Sequence, residues 1–478
     1  MKKIDWNKVL PIIMSALSAI ISILTTFFVA KPLGAELYGQ VQYYVGVITV
    51  FSIISAFGLS DYFIKTTQYS ENHKEHFGKW ILLMTIIDFI ITPVFMIIVF
   101  FVLKDFEKNL ILILIVALCG LSQSFLNVIG GYLLGRFEQA KSLFFSNFLP
   151  KLLILIVSII FLNFLPRDEF YWYYLLALLT INLIIGIPII ATQFRLSKGK
   201  FKFTKTEFIA LFSFFALSAT YSLNHQLSKI IGSEVYKNLS GVGAFSISVQ
   251  LAAISTLFAS TVISMSKPYF SKLKDNKTEL IIYFRKITRV NSYIVIPFCS
   301  ALIIQSQRIL SVFDKPDSLY SSYYWILVVL CIGVLISNLF GPNGTLLAMS
   351  GHEKVEVING IVNIIVYIIC AFSFVSFGII GLAIATLVAS MVVNILKYIE
   401  VLYFYKINPY SLKLFLHFAI MIVISFLSFY LASFIKNIYI LIAVDAFIGI
   451  GLIILFNVVN PNKEDKYFFL NSSKNREV

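Results

Sequence analysis

Apolar runs of helix-spanning length, separated by short polar stretches, recur from the first residues of the chain almost to its last. Fourteen such runs can be marked, at approximately 11–30, 41–64, 80–103, 110–134, 144–164, 171–193, 207–229, 240–264, 287–307, 324–349, 355–376, 379–402, 412–434 and 438–459. A helix needs about 20 residues to cross a hydrocarbon core about 30 Å thick, and these runs meet that length. The strands of a membrane barrel would instead alternate polar and apolar positions over about ten residues, and no segment does so. The pattern predicts an all-α polytopic membrane protein with about fourteen transmembrane helices. The seventh and eighth runs carry the most polar residues, and Phe377-Gly378 marks a tight turn between two others.

A short motif organises these runs. Lys31-Pro-Leu-Gly34-Ala-Glu36-Leu-Tyr38 follows the first run, and Lys229-Ile-Ile-Gly232-Ser-Glu234-Val-Tyr236 follows the seventh, with Lys, Gly, Glu and Tyr at the same spacing. Six runs separate the copies, so both begin on the same side of the membrane. This predicts two parallel six-helix repeats related by an axis along the membrane normal. The organisation expected is a first lobe over 1–193, a linker over 194–206, a second lobe over 207–402, an additional helix pair over 403–460 and a polar tail over 461–478.

Composition sharpens this reading. The chain has 478 residues, 59% of them hydrophobic, and a mean hydropathy of +0.89, which does not fit a soluble fold. A net charge of +14 could signal nucleic-acid binding, but Lys and Arg concentrate in every second loop, as membrane orientation requires. Clusters at Lys2-Lys3, 195–205 and 267–289 all fall on one side, which places both termini in the cytoplasm. No signal-peptide cleavage site follows the first run. The segment 265–289 intersperses Phe, Leu and Ile among its charges and reads either as an amphipathic surface helix or as a solvated loop. No loop is long enough to fold a catalytic domain. Cys119, Cys299, Cys331 and Cys370 lie inside apolar runs without metal-ligand spacing, so no metal or other cofactor is expected.

Candidate chemistry then reduces to polar residues within the runs. Ser15, Ser18, Ser22, Thr25 and Thr26 form one stripe on the first helix, which either lines a water-filled cavity or bonds back to its own backbone. Ser218, Ser222, His225, Gln226 and Lys229 share a face of the seventh, a face costly to expose to lipid. Together the stripes predict a hydrated cleft flanked by Lys31 and Lys229, two cations suited to a pyrophosphate; alternatively each lysine pairs with Glu36 or Glu234 or snorkels to the headgroups. Asp88, followed by Pro93, and Asp61 are candidate sites for coupling to a proton or sodium gradient. Asp445 also lies near mid-membrane. Arg136 and Lys151 stand near the cytoplasmic end between the fourth and fifth runs, placed to receive an anionic headgroup or to enforce orientation. There is no Walker A sequence and no nucleophile–base arrangement, so no enzymatic activity is expected.

Several of these segments resemble those of the polysaccharide-unit flippases, the O-antigen or polysaccharide transporter branch of the multidrug/oligosaccharidyl-lipid/polysaccharide exporter superfamily. Ala30-Lys-Pro-Leu-Gly34-Ala-Glu-Leu-Tyr-Gly39 is similar to the segment after their first helix, and Ala56-Phe-Gly-Leu59 to the end of their second. The run Gly341 to Gly351, Asn359-Gly-Ile-Val-Asn363 and Phe377-Gly-Ile-Ile-Gly-Leu-Ala-Ile-Ala-Thr386 is similar to their second half. The resemblance implies a V-shaped pair of six-helix lobes, alternating access, and an undecaprenyl-pyrophosphate-linked oligosaccharide moved from the inner to the outer leaflet of a bacterial cytoplasmic membrane. It implies a place beside glycan polymerase and chain-length proteins, for O-antigen (lipopolysaccharide) or capsule. It also implies a role for Lys31, since a basic residue at the end of helix one is typical. The acid many relatives carry before the Ile-Gly of helix seven is missing from Asn224-His-Gln-Leu-Ser-Lys229, so its role does not transfer. A cation-coupled exporter of drugs or small metabolites on the same scaffold, and a non-transporting scaffold for glycan-assembly enzymes, are the alternatives.

Overall fold

A computed structural model describes residues 6–67, 72–106, 108–195, 204–316, 318–406, 408 and 410–459. Helices account for nearly all of them; the described residues contain no strand, only an isolated bridge between Lys315 and Ser318. The proposed polar tail and most of the 194–206 linker lie outside the described residues.

The helices gather into two compact units, Met1–Ser246 with Lys315–Ser318, and Ile247–Asp314 with Leu319–Val478. The first holds α1 (Trp6–Leu33), α2 (Ala35–Ala56), α3 (Leu59–Thr66), α4 (His73–Val102), α5 (Leu110–Gly135), α6 (Gln139–Leu143), α7 (Leu149–Phe164), α8 (Phe170–Gln193) and α9 (Lys205–Glu234). A long helix, α10 (Leu239–Lys272), begins there and continues into the second unit. That unit adds α11 (Lys277–Ile304), α12 (Ser306–Ser311), α13 (Tyr324–Leu339), α14 (Asn343–Met349), α15 (Glu353–Ser373), α16 (Ile380–Tyr405), α17 (Leu412–Ala432) and α18 (Ile438–Val459).

Thirteen described helical stretches are long and apolar enough to cross a membrane. The remaining predicted span, the seventh (207–229), falls within α9, whose 30 residues exceed the length required. The chain is therefore a multi-pass membrane protein. Its outward faces suit lipid: on α4, Phe89, Ile90 and Phe101 are 85%, 64% and 75% exposed. The sequence 265–289 forms the end of α10, a turn, and the start of α11.

Glycines set the helix breaks and the closest approaches. Gly34 (φ +83°) ends α1, and the first amide of α2, Ala35 N–H, donates to Ser318 Oγ at 2.7 Å. Lys315 Nζ donates to the Pro32 carbonyl beside it. Phe57 and Gly58 (φ +42° and +75°) split the second predicted span, and a Cβ on Gly58 would collide with the backbone of Leu211 and Phe215 on α9. A Cβ on Gly39 would strike the Leu239 carbonyl, and one on Gly243 the Ala35 carbonyl, so α2 and the start of α10 touch backbone to backbone.

In the first unit, α5 is the central helix, packed on α2, α3, α4 and α8. One core cluster gathers Tyr62, Phe63, Phe77, Trp80 and Tyr132, with the Phe77 and Tyr132 rings 4.4 Å apart. A second gathers Tyr43, Tyr44 and Phe106. The helix α9 packs on α2 and α3. Its N-terminus is a capping box: Thr204 accepts from Glu207 N–H and Glu207 from Thr204 N–H, while Lys79 Nζ reaches Glu207 at 3.2 Å. In the second unit α11 packs on α13, α17 and α18, and α15 on α16.

Candidate functional site

The hydroxyls of the α1 stripe turn back on their own helix. Ser18, Ser22, Thr25 and Thr26 donate to the carbonyls of Met14, Ser18, Ile21 and Ser22, at 2.7–3.0 Å. This satisfies each hydroxyl without requiring water. At the end of the stripe Lys31 is half-buried and holds its ammonium over the Phe27 ring, 5.6 Å from the centroid.

The equivalent face of α9 is more deeply enclosed. The side chains of Ser218 and Ser222 lie outside the described residues. Lys229 is only 8% exposed, and its Nζ donates to Gln42 Oε1 on α2 at 3.0 Å. Gly46, one turn on from Gln42, makes room for it: a Cβ there would sit 3.2 Å from that of Lys229. His225 Nδ1 and Gln226 Oε1 are buried without a hydrogen-bond partner. Neither lysine of the motif pairs with its glutamate. Glu36 is exposed, and Glu234 instead takes Tyr43 Oη–H at 2.5 Å and Lys104 N–H at 3.1 Å, with Lys237 Nζ at 3.6 Å. The two copies of the motif also differ in backbone: Gly34 breaks a helix, whereas Gly232 lies within α9.

Two neighbouring cavities open within the first unit. The larger, about 330 Å³, is lined by Asp61, Asn127, Ser52, Ser60, Ser142 and several glycines. The smaller, about 260 Å³, shares Asn127, Ser146 and Asn147 with it and extends to Gln123, Lys151, Tyr174 and Asn182. Asp61, on α3, thus reaches a cavity. Asp88, on α4, does not line either; it is 4% exposed and neither carboxylate oxygen has a hydrogen-bond partner. A carboxylate so placed is costly to keep charged within a membrane bundle. Arg136 is occupied structurally, with Nη2 2.8 Å from Glu138 and Nη1 donating to Gln193 Oε1 at 2.9 Å. Among the described residues no group of His, Cys, Asp and Glu is arranged to hold a metal ion.

The profile of the family described as "Polysaccharide biosynthesis protein" matches residues 6–274, more than half of the chain and most of the first unit. The chain belongs to that family. The chain shares its fold with the lipid II flippase MurJ in an inward closed conformation, with a TM-score of 0.70 at 17% identity over 94% of this chain and 98% of that one. A multidrug resistance MATE family transporter of the MOP superfamily, inward-facing, aligns with a TM-score of 0.59 at 14% identity over 81% and 94% of the two chains. A MOP superfamily transporter from Pyrococcus furiosus, described by the reverse polarity of its binding pocket, aligns at 0.57 and 12% over 84% and 95%. No curated protein matches the sequence.

The sequence pattern carries a signal for the cavity. Gln123 and Asn127, and Asn147 and Lys151, are polar pairs four residues apart in otherwise apolar helices, the spacing that puts both members on one face. Gln42 follows the motif directly, but its pairing with Lys229 depends on how α9 packs.

Proposed function

We propose that the protein is a flippase that moves polyprenyl-pyrophosphate-linked oligosaccharide units of a surface polysaccharide, such as O-antigen or capsule, across a bacterial cytoplasmic membrane. The observation that carries the reading is Lys229. Its buried ammonium meets a neutral amide oxygen and no carboxylate, so its positive charge is uncompensated by the described residues. Burying such a charge within a membrane helix is costly, and an anionic cargo would relieve the cost. A sugar headgroup cannot cross hydrocarbon unaided, because each unpaired polar group costs kilocalories there. A cationic, hydrated path supplies what it lacks while the polyprenyl tail stays in lipid.

In this proposal the six-helix segments 1–193 and 207–402 alternate access between the leaflets, and both termini lie in the cytoplasm. Lys31, Lys229, His225, Gln226, Ser22, Thr26 and Arg136 face the cargo during part of the cycle. Asp88 and Asp61 couple transport to a proton or sodium gradient. A polymerase and chain-length proteins take the product, and the chain itself makes or breaks no covalent bond. Cells depleted of the protein then accumulate lipid-linked glycan on the cytoplasmic leaflet and lose surface polymer; unchanged sidedness in cells without a redundant flippase overturns the proposal.

The unpartnered carboxylate of Asp88 favours a second reading, a cation-coupled exporter of small molecules. Transport of a cationic dye by purified protein in vesicles, with no flipping of lipid-linked glycan, would establish that alternative.

A further inference from the structure

The smaller cavity of the first unit is built from three helical segments that each bring polar groups to one place. The helix α5 supplies Gln123 and Asn127, the segment at the start of α7 supplies Asn147 and Lys151, and α8 supplies Tyr174 and Asn182. Two of these pairs are four residues apart and the third eight, so each lies along one helix face. Four carboxamides converging inside a membrane bundle are not explained by packing, since apolar residues would fill the space without needing partners.

Their hydrogen bonds are half used. The amide nitrogens of Asn127, Asn147 and Asn182 donate to Ser52, Ser146 and Ser122 at 3.4, 3.1 and 3.2 Å. These bonds fix the side chains and leave the carbonyl oxygens without a donor from the described residues. Gln123 hydrogen-bonds to no described residue, and Lys151 neither hydrogen-bonds nor ion-pairs with one. Asn182 is 7% exposed, so its orientation is held by the interior.

The backbone is shaped around the same place. Phe144–Phe148 form a π turn, and Pro150 follows it. Pro150 has no N–H to give the Ser146 carbonyl four residues back, and its ring crowds that carbonyl, which opens the turn. Ser146, Asn147, Pro150 and Lys151 all line the cavity.

The lining contains no acid and carries one lysine, which favours an anionic over a cationic occupant. It offers amide acceptors and donors, an aromatic ring and one cation, the chemistry that recognises a sugar ring bearing an anionic oxygen. At about 260 Å³ the cavity lies just under the range of about 300–1,000 Å³ typical for drug-sized ligands, room for one sugar ring.

We propose that this cavity seats a single sugar of the cargo, with Gln123, Asn127, Asn147 and Asn182 reading its hydroxyl or acylamino groups, Tyr174 against its face and Lys151 on an adjacent oxyanion. The oxyanion is either the pyrophosphate that links the sugar to lipid or an acid carried by the ring. This assignment rests on the flippase reading and extends it to the residues that set sugar specificity.

The test is native mass spectrometry of the full chain purified in mild detergent from cells that make its glycan, with assembly stopped so that undecaprenyl pyrophosphate carries no sugar, one sugar or the complete unit. Wild type is expected to retain sugar-bearing lipids about tenfold over the bare lipid. Gln123→Ala, which removes a side chain bonded to no described residue, and Asn182→Ser each reduce that preference while leaving bare-lipid retention unchanged. Lys151→Ala lowers retention of every pyrophosphate lipid if the lysine takes the pyrophosphate, and only of lipids with acidic sugars if it takes a ring acid; no change under Lys151→Ala removes the lysine from the site. Equal retention of bare and sugar-bearing lipid by wild type, or an undiminished preference in both amide variants, overturns the proposal. Absence of any polyprenyl species from wild type overturns the flippase reading instead.

Discussion

Lys229 Nζ and Gln42 Oε1, 3.0 Å apart, join α9 to α2 through a charge that no carboxylate answers. The pair lies in the first unit, so the helix that carries the second copy of the motif is fastened to the helix that follows the first. Replacing the lysine separates its two possible duties. Lys229→Met is expected to leave the thermal stability of purified protein equal or higher, because a buried charge is removed. Flipping should fall about tenfold or more, at least 1.4 kcal/mol in barrier height. Lys229→Arg should retain part of the rate. Reconstituted flipping beside a melting curve checks this, and a rate that falls only in proportion to folded protein would show that the lysine is structural.

Asp88 presents the opposite case, an enclosed acid without a hydrogen-bond partner. Asp88→Asn keeps the shape and removes the ionisable group. The variant is expected to melt higher by a few degrees and to lose the dependence of transport on a proton or sodium gradient, measured with and without an ionophore. Unchanged gradient dependence would exclude Asp88 from coupling.

Gly58 combines a positive φ with contact against the α9 backbone. Gly58→Ala must carry a left-handed conformation and push α9 away, at a cost of about 1–3 kcal/mol for the backbone conformation alone. Melting should drop while Gly351→Ala, also at positive φ but with open space around it, loses less. Equal losses would show that conformation alone matters.

In the second unit, Glu356 on α15 is 5% exposed and pairs with Lys397 on α16, while Asn359 donates to Glu400 at 2.7 Å. Gly344 on α14 closes over the pair; a Cβ there would come within 2.9 Å of Lys397 Nζ. Lys397→Met should cost about 3–5 kcal/mol by leaving Glu356 unpaired, and the double variant Glu356→Gln, Lys397→Met should recover most of it. A double-mutant cycle on unfolding gives the answer directly.

Much of this architecture was legible in the chain. Spans such as 110–134 and 412–434 are continuous apolar runs whose only stable course through a bilayer is helical, and they appear as α5 and α17. The breaks at Gly34 and Gly58 coincide with the motif residues. Other features depend on packing. The fate of 265–289 turned on α10 and α11 extending past the apolar runs, where local pattern does not mark an end. The stripe on α1 was visible as spacing, yet spacing does not say whether a hydroxyl faces a cavity or its own helix; the coordinates give the backbone bonds. The four amides of the cavity come from three separate helices, and no local window of sequence contains their convergence.

The backbone contact between Gly39 and Gly243 has a mechanical consequence. Helices that interlock through large side chains are geared: to slide, each ridge must climb out of its groove. Where two glycines bring bare backbone together, no teeth engage, and what remains to be broken is weak C–H···O attraction. The crossing of α2 and α10 is thus a smooth bearing set among toothed contacts. Any side chain introduced at either glycine would convert it into a wedge between the two backbones.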